Sequence, residues 1–246
     1  MKKTNYFICF TLLLIAIFFA DNAIAQTRTC NDNQTDEQFP PRQEDARTGS
    51  ELMELMKTMT LEEREELIIE EVLNGNTPSF CKTFVEVEFQ YNGHTAIVEV
   101  LPDYLAIGSD EDFCRIPVSP ETAQVIADTF DCSLPTPLMV DKIWENAEIK
   151  ITPITHAPNG NDNEQIWMFQ LHNTEIEDAL SNYGTDWNRD TTIVGGLKKD
   201  IVITNRLSEI EDKVAIYGWH KPDGTIWQPL YTGHTNTYMD YSHGVR

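Results

Sequence analysis

Between Thr83 and Leu101 the side chains alternate with a period of two. Val85, Val87, Phe89 and Tyr91 are separated by Glu86, Glu88 and Gln90; Asn92-Gly93 follows, and a second alternating run ends at Val100. An Asn-Gly pair between two such runs specifies a β-hairpin with a type I′ turn, because both turn positions need positive φ. An all-helical fold is thereby excluded. Upstream, Leu52, Met53, Leu55, Met56 and Met59 form the apolar face of a short helix. Thr60-x-x-Glu63 is a capping box that opens a second helix, and Asn74-Gly75 closes it. Ser119-Pro120 and Thr136-Pro137 start two more, with proline at the first helical position. Tyr104–Ile107, residues 148–154 and Ile166–Leu171 read as strands, and Asn173 as the cap of a helix to Tyr183. Asp200–Arg206, Lys213–His220 and Thr225–Leu230 read as later strands. The pattern predicts an α+β fold with a mainly antiparallel sheet and helices concentrated in the N-terminal half.

The first residues carry a different signal. Lys2 and Lys3 precede an apolar stretch from Tyr6 to Ala20, and Ala23-Ile24-Ala25 supplies an A-x-A site. Residues 1–25 therefore read as a secretory signal peptide, with an apolar part too short to span a bilayer. Residues 26–49 are polar, contain Pro40-Pro41, and read as a flexible arm. Residues 50–246 are then expected to form a single α+β domain. With 18 Lys and Arg against 40 Asp and Glu, the formal charge is −22. That balance argues against nucleic acid and anionic membranes as partners. The expected setting is secreted or periplasmic, with a small-molecule, peptide or glycan ligand and no membrane attachment after signal cleavage.

Cys9 lies in the signal segment, which leaves Cys30, Cys81, Cys114 and Cys132. An even count in an exported protein predicts two disulfides, in one of three connectivities; one bridge plus two free thiols is the alternative. No C-x-x-C spacing suggests a zinc ribbon.

Three of the six histidines, His220, His234 and His243, fall in the last 27 residues with Asp240, several tyrosines and Ser242. Asp240 and His243 are three apart, close enough to share a point in a helical turn. His220, His234, Asp240 and His243 are therefore the candidate polar centre of a hydrolase. One imidazole would act as general base, or the set would ligate a divalent metal such as zinc. Lys198 or Lys199 is the candidate oxyanion contact. The competing expectation is a non-catalytic binding module that presents Trp219, Trp227, Tyr231, Tyr238 and Tyr241 as an aromatic platform.

Tyr241-Ser242-His243-Gly244-Val245-Arg246 resembles the Ser-His-Gly-Cys-x-Arg signature of L,D-transpeptidases, which act on peptidoglycan stem peptides through a cysteine. No cysteine follows Gly244, so the likeness implies a cell-envelope substrate and not the transpeptidase reaction. Asp131-Cys132-Ser133, with Val214-Ala215-Ile216-Tyr217 downstream, is similar to cell-wall endopeptidases of the NlpC/P60 type. There a helix-terminal thiolate is activated by a histidine; Lys213 stands where that histidine would be. The segments around Pro102–Gly108, Leu134–Thr136 and Tyr217–His220 resemble a group of secreted bacterial proteins, a likeness that implies an address and no mechanism. Ile193-Val194-Gly195-Gly196 has too little chain after it for a trypsin-like domain, and Gly195–Lys199 lacks the P-loop spacing. Asn159–Glu164 lacks the glycine and distal glutamate of a calcium loop and reads as a turn.

Overall fold

The computed structural model describes residues 39–246. The predicted signal peptide and residues 26–38 of the arm lie outside the described residues. Two capping boxes start the chain's ordered path. Thr48 and Glu51 cap α1 (Gly49–Met56), and Thr60 and Glu63 cap α2 (Leu61–Leu73), each side chain bonding the other's backbone. The hairpin follows as β1 (Val85–Tyr91) and β2 (His94–Val100), with Tyr91 opposite His94. Asn92 at φ 50° and Gly93 at φ 78° make the expected turn. The hairpin's Val87 and Val100 pack on Ile143, Ala147 and Ile193.

A second short pair, β3 (Ala106–Gly108) and β4 (Phe113–Arg115), leads into α3 (Pro120–Thr129) and α4 (Pro137–Asn146). Ser119 and Thr136 cap these two helices, and Pro occupies the first turn of each. β5 (Ile149–Lys150) then pairs in parallel with β6 (Val194–Gly195) across α5 (Ile166–Ser181). The largest sheet has the order β10-β7-β8-β9, where β7 is Lys199–Ile201, β8 Ile216–His220, β9 Ile226–Tyr231 and β10 His243–Gly244. β10 lies parallel to β7, whereas β7, β8 and β9 are antiparallel. The main core joins Leu52, Met53 and Met56 of α1 to Ile68 and Val72 of α2. Ile107, Ile166, Phe169, Ile216, Trp219 and Tyr241 complete it.

The fold is α+β with mostly antiparallel pairing, but the helices are not confined to the first half. α5 is the longest helix among the described residues, at 16 residues, and runs unbroken through the predicted strand Ile166–Leu171 and the predicted cap Asn173. Ile166, Phe169, His172, Ile176 and Leu180 share one buried face at helical spacing, which overrides the local strand reading. Asn173 instead accepts hydrogen bonds from the Arg115 backbone and guanidinium and donates to the Phe113 carbonyl. It thereby ties α5 to β4. Beside it Arg115, 0% exposed, pairs with Asp103 at 2.6 Å and Glu177 at 2.8 Å, and Arg189 bridges the same two acids.

The near end of the arm is packed and not free. Phe39 stacks on Phe130 with ring centroids 4.4 Å apart. Arg42 donates to the Asn76 side chain and the Ala46 carbonyl. Asn76 is buried and returns hydrogen bonds to the Arg47 carbonyl and the Glu71 carboxylate. Gly75, at φ 75°, lies so close to Pro40 that a Cβ would stand 2.1 Å from its carbonyl oxygen. Residues 39–48 thus belong to the folded body, contrary to the flexible-arm expectation for that stretch.

The two-disulfide expectation is also overturned. Cys30 lies outside the described residues, so two bridges would need one within Cys81, Cys114 and Cys132. No pair among these three is bonded. Cys81 is buried against the Tyr104 and Ala106 carbonyls, and Cys114 against those of Arg115 and Phe169. Burial pushes both thiols up, Cys114 to about 11, which leaves them unreactive in the folded protein. A thiol reagent is expected to spare Cys81 and Cys114 in the native state and to modify both after unfolding without reductant. An unfolded, unreduced chain with no reactive thiol would contradict this.

Candidate functional site

Parallel pairing of β10 with β7 sets His243 opposite Lys199 and Gly244 opposite Asp200. Residues 240–243 turn sharply, with the His243 amide bonded to the Asp240 carbonyl. One oxygen of Asp240 accepts from the Ser242 amide at 2.8 Å and from the Ser242 hydroxyl. The other accepts from the Tyr238 hydroxyl at 3.3 Å and stands 3.9 Å from His243 Nε2. His234 stacks on Tyr238 at 4.1 Å between centroids, and its ring is 6.0 Å from that of His243. Lys199 lies close enough to act on both Asp240 and His243 by its charge.

Charge and burial divide these groups into two kinds. His243 is fully buried, and neither ring nitrogen has a hydrogen-bond partner among the described residues. Burial drives its pKa down to about 4 against the opposing pull of Asp240, so the imidazole is neutral at pH 7. Burial alone would raise the Asp240 carboxyl. The charges of His243 in its protonated form and of Lys199, with the Ser242 hydrogen bonds, outweigh it and lower the Asp240 carboxyl below its ordinary range. His234, Tyr238 and Lys199 are only partly buried and form the solvent side of the cluster. The outcome is a carboxylate and a neutral imidazole, side by side beneath an accessible rim.

His220 is not part of this cluster. The register of β8 against β9 slips between Ile216 and Gly218, with the extra residue in β9 between Gln228 and Tyr231, while β8 itself carries Gly218 at φ 95° and Trp219 at φ 53°. These positive φ values break the alternation of β8, and Tyr217 and His220 both reach Asp141 on α4, each at 2.9 Å. The His220 ring also stacks on Trp144 at 5.2 Å. A positive φ at a tryptophan is strained backbone, held in place by the surrounding packing. Regular alternation would have given no sign of this arrangement.

β7 likewise divides its side chains. Lys198 is buried and donates to the Tyr241 carbonyl at 2.6 Å, so it is no surface oxyanion contact. Asp200 is buried and accepts from the Tyr104 hydroxyl at 3.1 Å. Burial moves the two groups toward each other: Lys198 down to about 7 and Asp200 up to about 7. Asp141, Tyr104, Asp200 and Arg246 were not among the sequence candidates. Of these, Arg246 figured in the sequence only through the Ser-His-Gly-Cys-x-Arg likeness.

Zinc ligation by His220, His234, Asp240 and His243 is not supported by this geometry. Among the described residues no three His, Cys, Asp or Glu side chains converge as metal ligands, and His220 is directed to α4. The aromatic platform is reduced as well. Trp219 and Tyr241 are buried in the core, and only Trp227 and Tyr231 of the five are well exposed, at 47% and 46%. The Cys132 thiol is raised, chiefly by burial and further by Asp131, which is opposite to what a nucleophilic thiolate needs. No helix among the described residues is long and apolar enough to cross a membrane. Comparison with protein-family models, curated proteins and solved structures gave no match. Functional argument therefore rests on the site itself.

Proposed function

We propose that the protein is a hydrolase of extracytoplasmic peptide or glycan material, with Asp240 and His243 as its acid–base pair. The observation that carries this reading is the fully buried His243, whose two ring nitrogens have no hydrogen-bond partner among the described residues and whose Nε2 stands 3.9 Å from the Asp240 carboxylate. Leaving such a group unpaired costs about 1–3 kcal/mol, a cost typical of residues retained for chemistry. A neutral imidazole accepts a proton from water as the water attacks a carbonyl or acetal carbon. Asp240 stabilises the imidazolium that results. Lys199 stands on the partly exposed side, where its ammonium would meet charge developing on the substrate oxygen. The extracytoplasmic address rests on the basic n-region, apolar stretch and A-x-A site, and the cell-envelope substrate on the Ser-His-Gly likeness.

The test is incubation of the chain from Gln26 onward with purified peptidoglycan and its soluble muropeptides, followed by mass spectrometry. The expected products are fragments that have gained the elements of water at one peptide or glycosidic bond. Retention on the polymer with no new fragment would replace the hydrolase with a binding module.

A further inference from the structure

A small cavity of about 10 Å³, the size of one water molecule, lies between α4, β7 and β8. Its walls include Tyr104, Trp144, Lys198, Asp200, Trp219 and Arg246. Three buried nitrogens of these wall residues have no hydrogen-bond partner among the described residues: Trp144 Nε1, Trp219 Nε1 and Arg246 Nε. All three are donors, and none can accept. Arg246 places its other nitrogen on the Pro102 and Val194 carbonyls and its guanidinium 4.4 Å from the centroid of the Tyr104 ring. Lys198 has a carbonyl partner only, and among the described residues neither cation has a carboxylate within 4.0 Å. The one acid on the wall, Asp200, is held by Tyr104.

A buried pocket with surplus donors and surplus positive charge is costly unless an acceptor of opposite charge enters it. Water supplies acceptor electrons but no charge. We propose that this cavity is a binding site for one halide ion. The site is built from rigid parts. Gly195 and Gly196 line it, and at Gly195 a Cβ would come within 3.0 Å of the Trp144 ring. Val140 of α4 lines it too, and it packs so close to Gly218 of β8 that a Cβ there would stand 2.8 Å away. The strained backbone at Trp219 holds one of the three donors in this wall. An anion here would also favour the charged form of Lys198, which burial otherwise opposes. The inference is separate from the hydrolytic reading, since none of the three unpaired nitrogens belongs to the Asp240–His243 cluster.

Two of the donors are indoles, so tryptophan fluorescence reports on the site directly. The protein is titrated with sodium chloride, sodium formate and sodium acetate, with sodium sulfate holding ionic strength constant, and thermal stability is read in parallel. The expected result is a saturable fluorescence change with a concentration-dependent rise in Tm for chloride and not for formate or acetate. An equal response to formate or acetate would show binding outside the one-water cavity and overturn the proposal. Lys198→Met should abolish the response. Trp144→Phe, which removes one donor and keeps the ring, should weaken it roughly 5- to 10-fold while the circular dichroism stays native. No saturable response from the unaltered protein, or one undiminished in a folded Trp144→Phe variant, would overturn the proposal.

Discussion

Arg115→Met is expected to cost about 3–5 kcal/mol of stability at pH 7, read by urea denaturation. Arg115 is fully buried and binds Asp103 through two nitrogens, at 2.8 and 2.6 Å, with Glu177 as a further partner. Burial alone would raise the Asp103 carboxyl; Arg115 and Arg189 outweigh it and hold the group below its ordinary range. In the native protein this pair therefore contributes stability above the unfolded carboxylate pKa, and the contribution is lost as pH falls through the lower folded value. Methionine fills the volume but leaves Asp103 buried with Arg189 as its remaining cation, at 3.3 Å. The carboxyl then rises, so the variant's deficit should be largest at neutral pH and shrink toward pH 4, where Asp103 takes up a proton. A deficit below about 1 kcal/mol, or one that grows in acid, would show that the pair is not the anchor its burial implies. The consequence reaches the cavity, because Tyr104, next in the chain, holds Asp200.

Asp240→Asn is expected to lower the hydrolytic rate by roughly 10²–10⁴-fold with little loss of fold. Asparagine is nearly isosteric and still accepts the Ser242 amide hydrogen bond, so the turn at residues 240–243 should persist. What it removes is the negative charge beside His243. His243→Ala should cost a similar factor, and the double variant should cost little more than either, since the two act as a unit. His220→Ala should leave the rate within a few-fold, because His220 bonds to Asp141 and not to Asp240. In the unaltered protein kcat/KM should rise through about pH 4 as His243 loses its proton and then level. Equal losses for His220→Ala and His243→Ala would restore the single-centre expectation that the His220–Asp141 contact argues against.

Elements written locally in the sequence were legible there. The hairpin turn Asn92-Gly93, the capping boxes at Thr60 and the proline-initiated helices α3 and α4 each depend on a few neighbouring residues. α5 was misread because Asn173 looks like a cap in isolation, while its actual role requires β4 as a partner. The joining of His234, Asp240 and His243 was legible from proximity in the tail. The separation of His220 was not, because positive φ at Gly218 and Trp219 redirects the strand without leaving a sequence period behind. Asp141 meets His220 across 79 residues and Tyr104 meets Asp200 across 96, contacts that no local pattern encodes. The unbridged thiols were hidden for a related reason: an even cysteine count reports compartment chemistry, whereas burial is set by the fold.

The central claim is that Asp240 and His243 form one coupled, buried pair, and proton NMR titration of the histidine rings tests it most directly. The account predicts that His243 remains neutral as pH is lowered to about 4 and that Asp240→Asn lowers its pKa further, because Asp240 favours the protonated ring. His220 should be indifferent to that substitution. A His243 that titrates near 6.5 and does not respond to Asp240→Asn would contradict the pair, and with it the proposed acid–base chemistry.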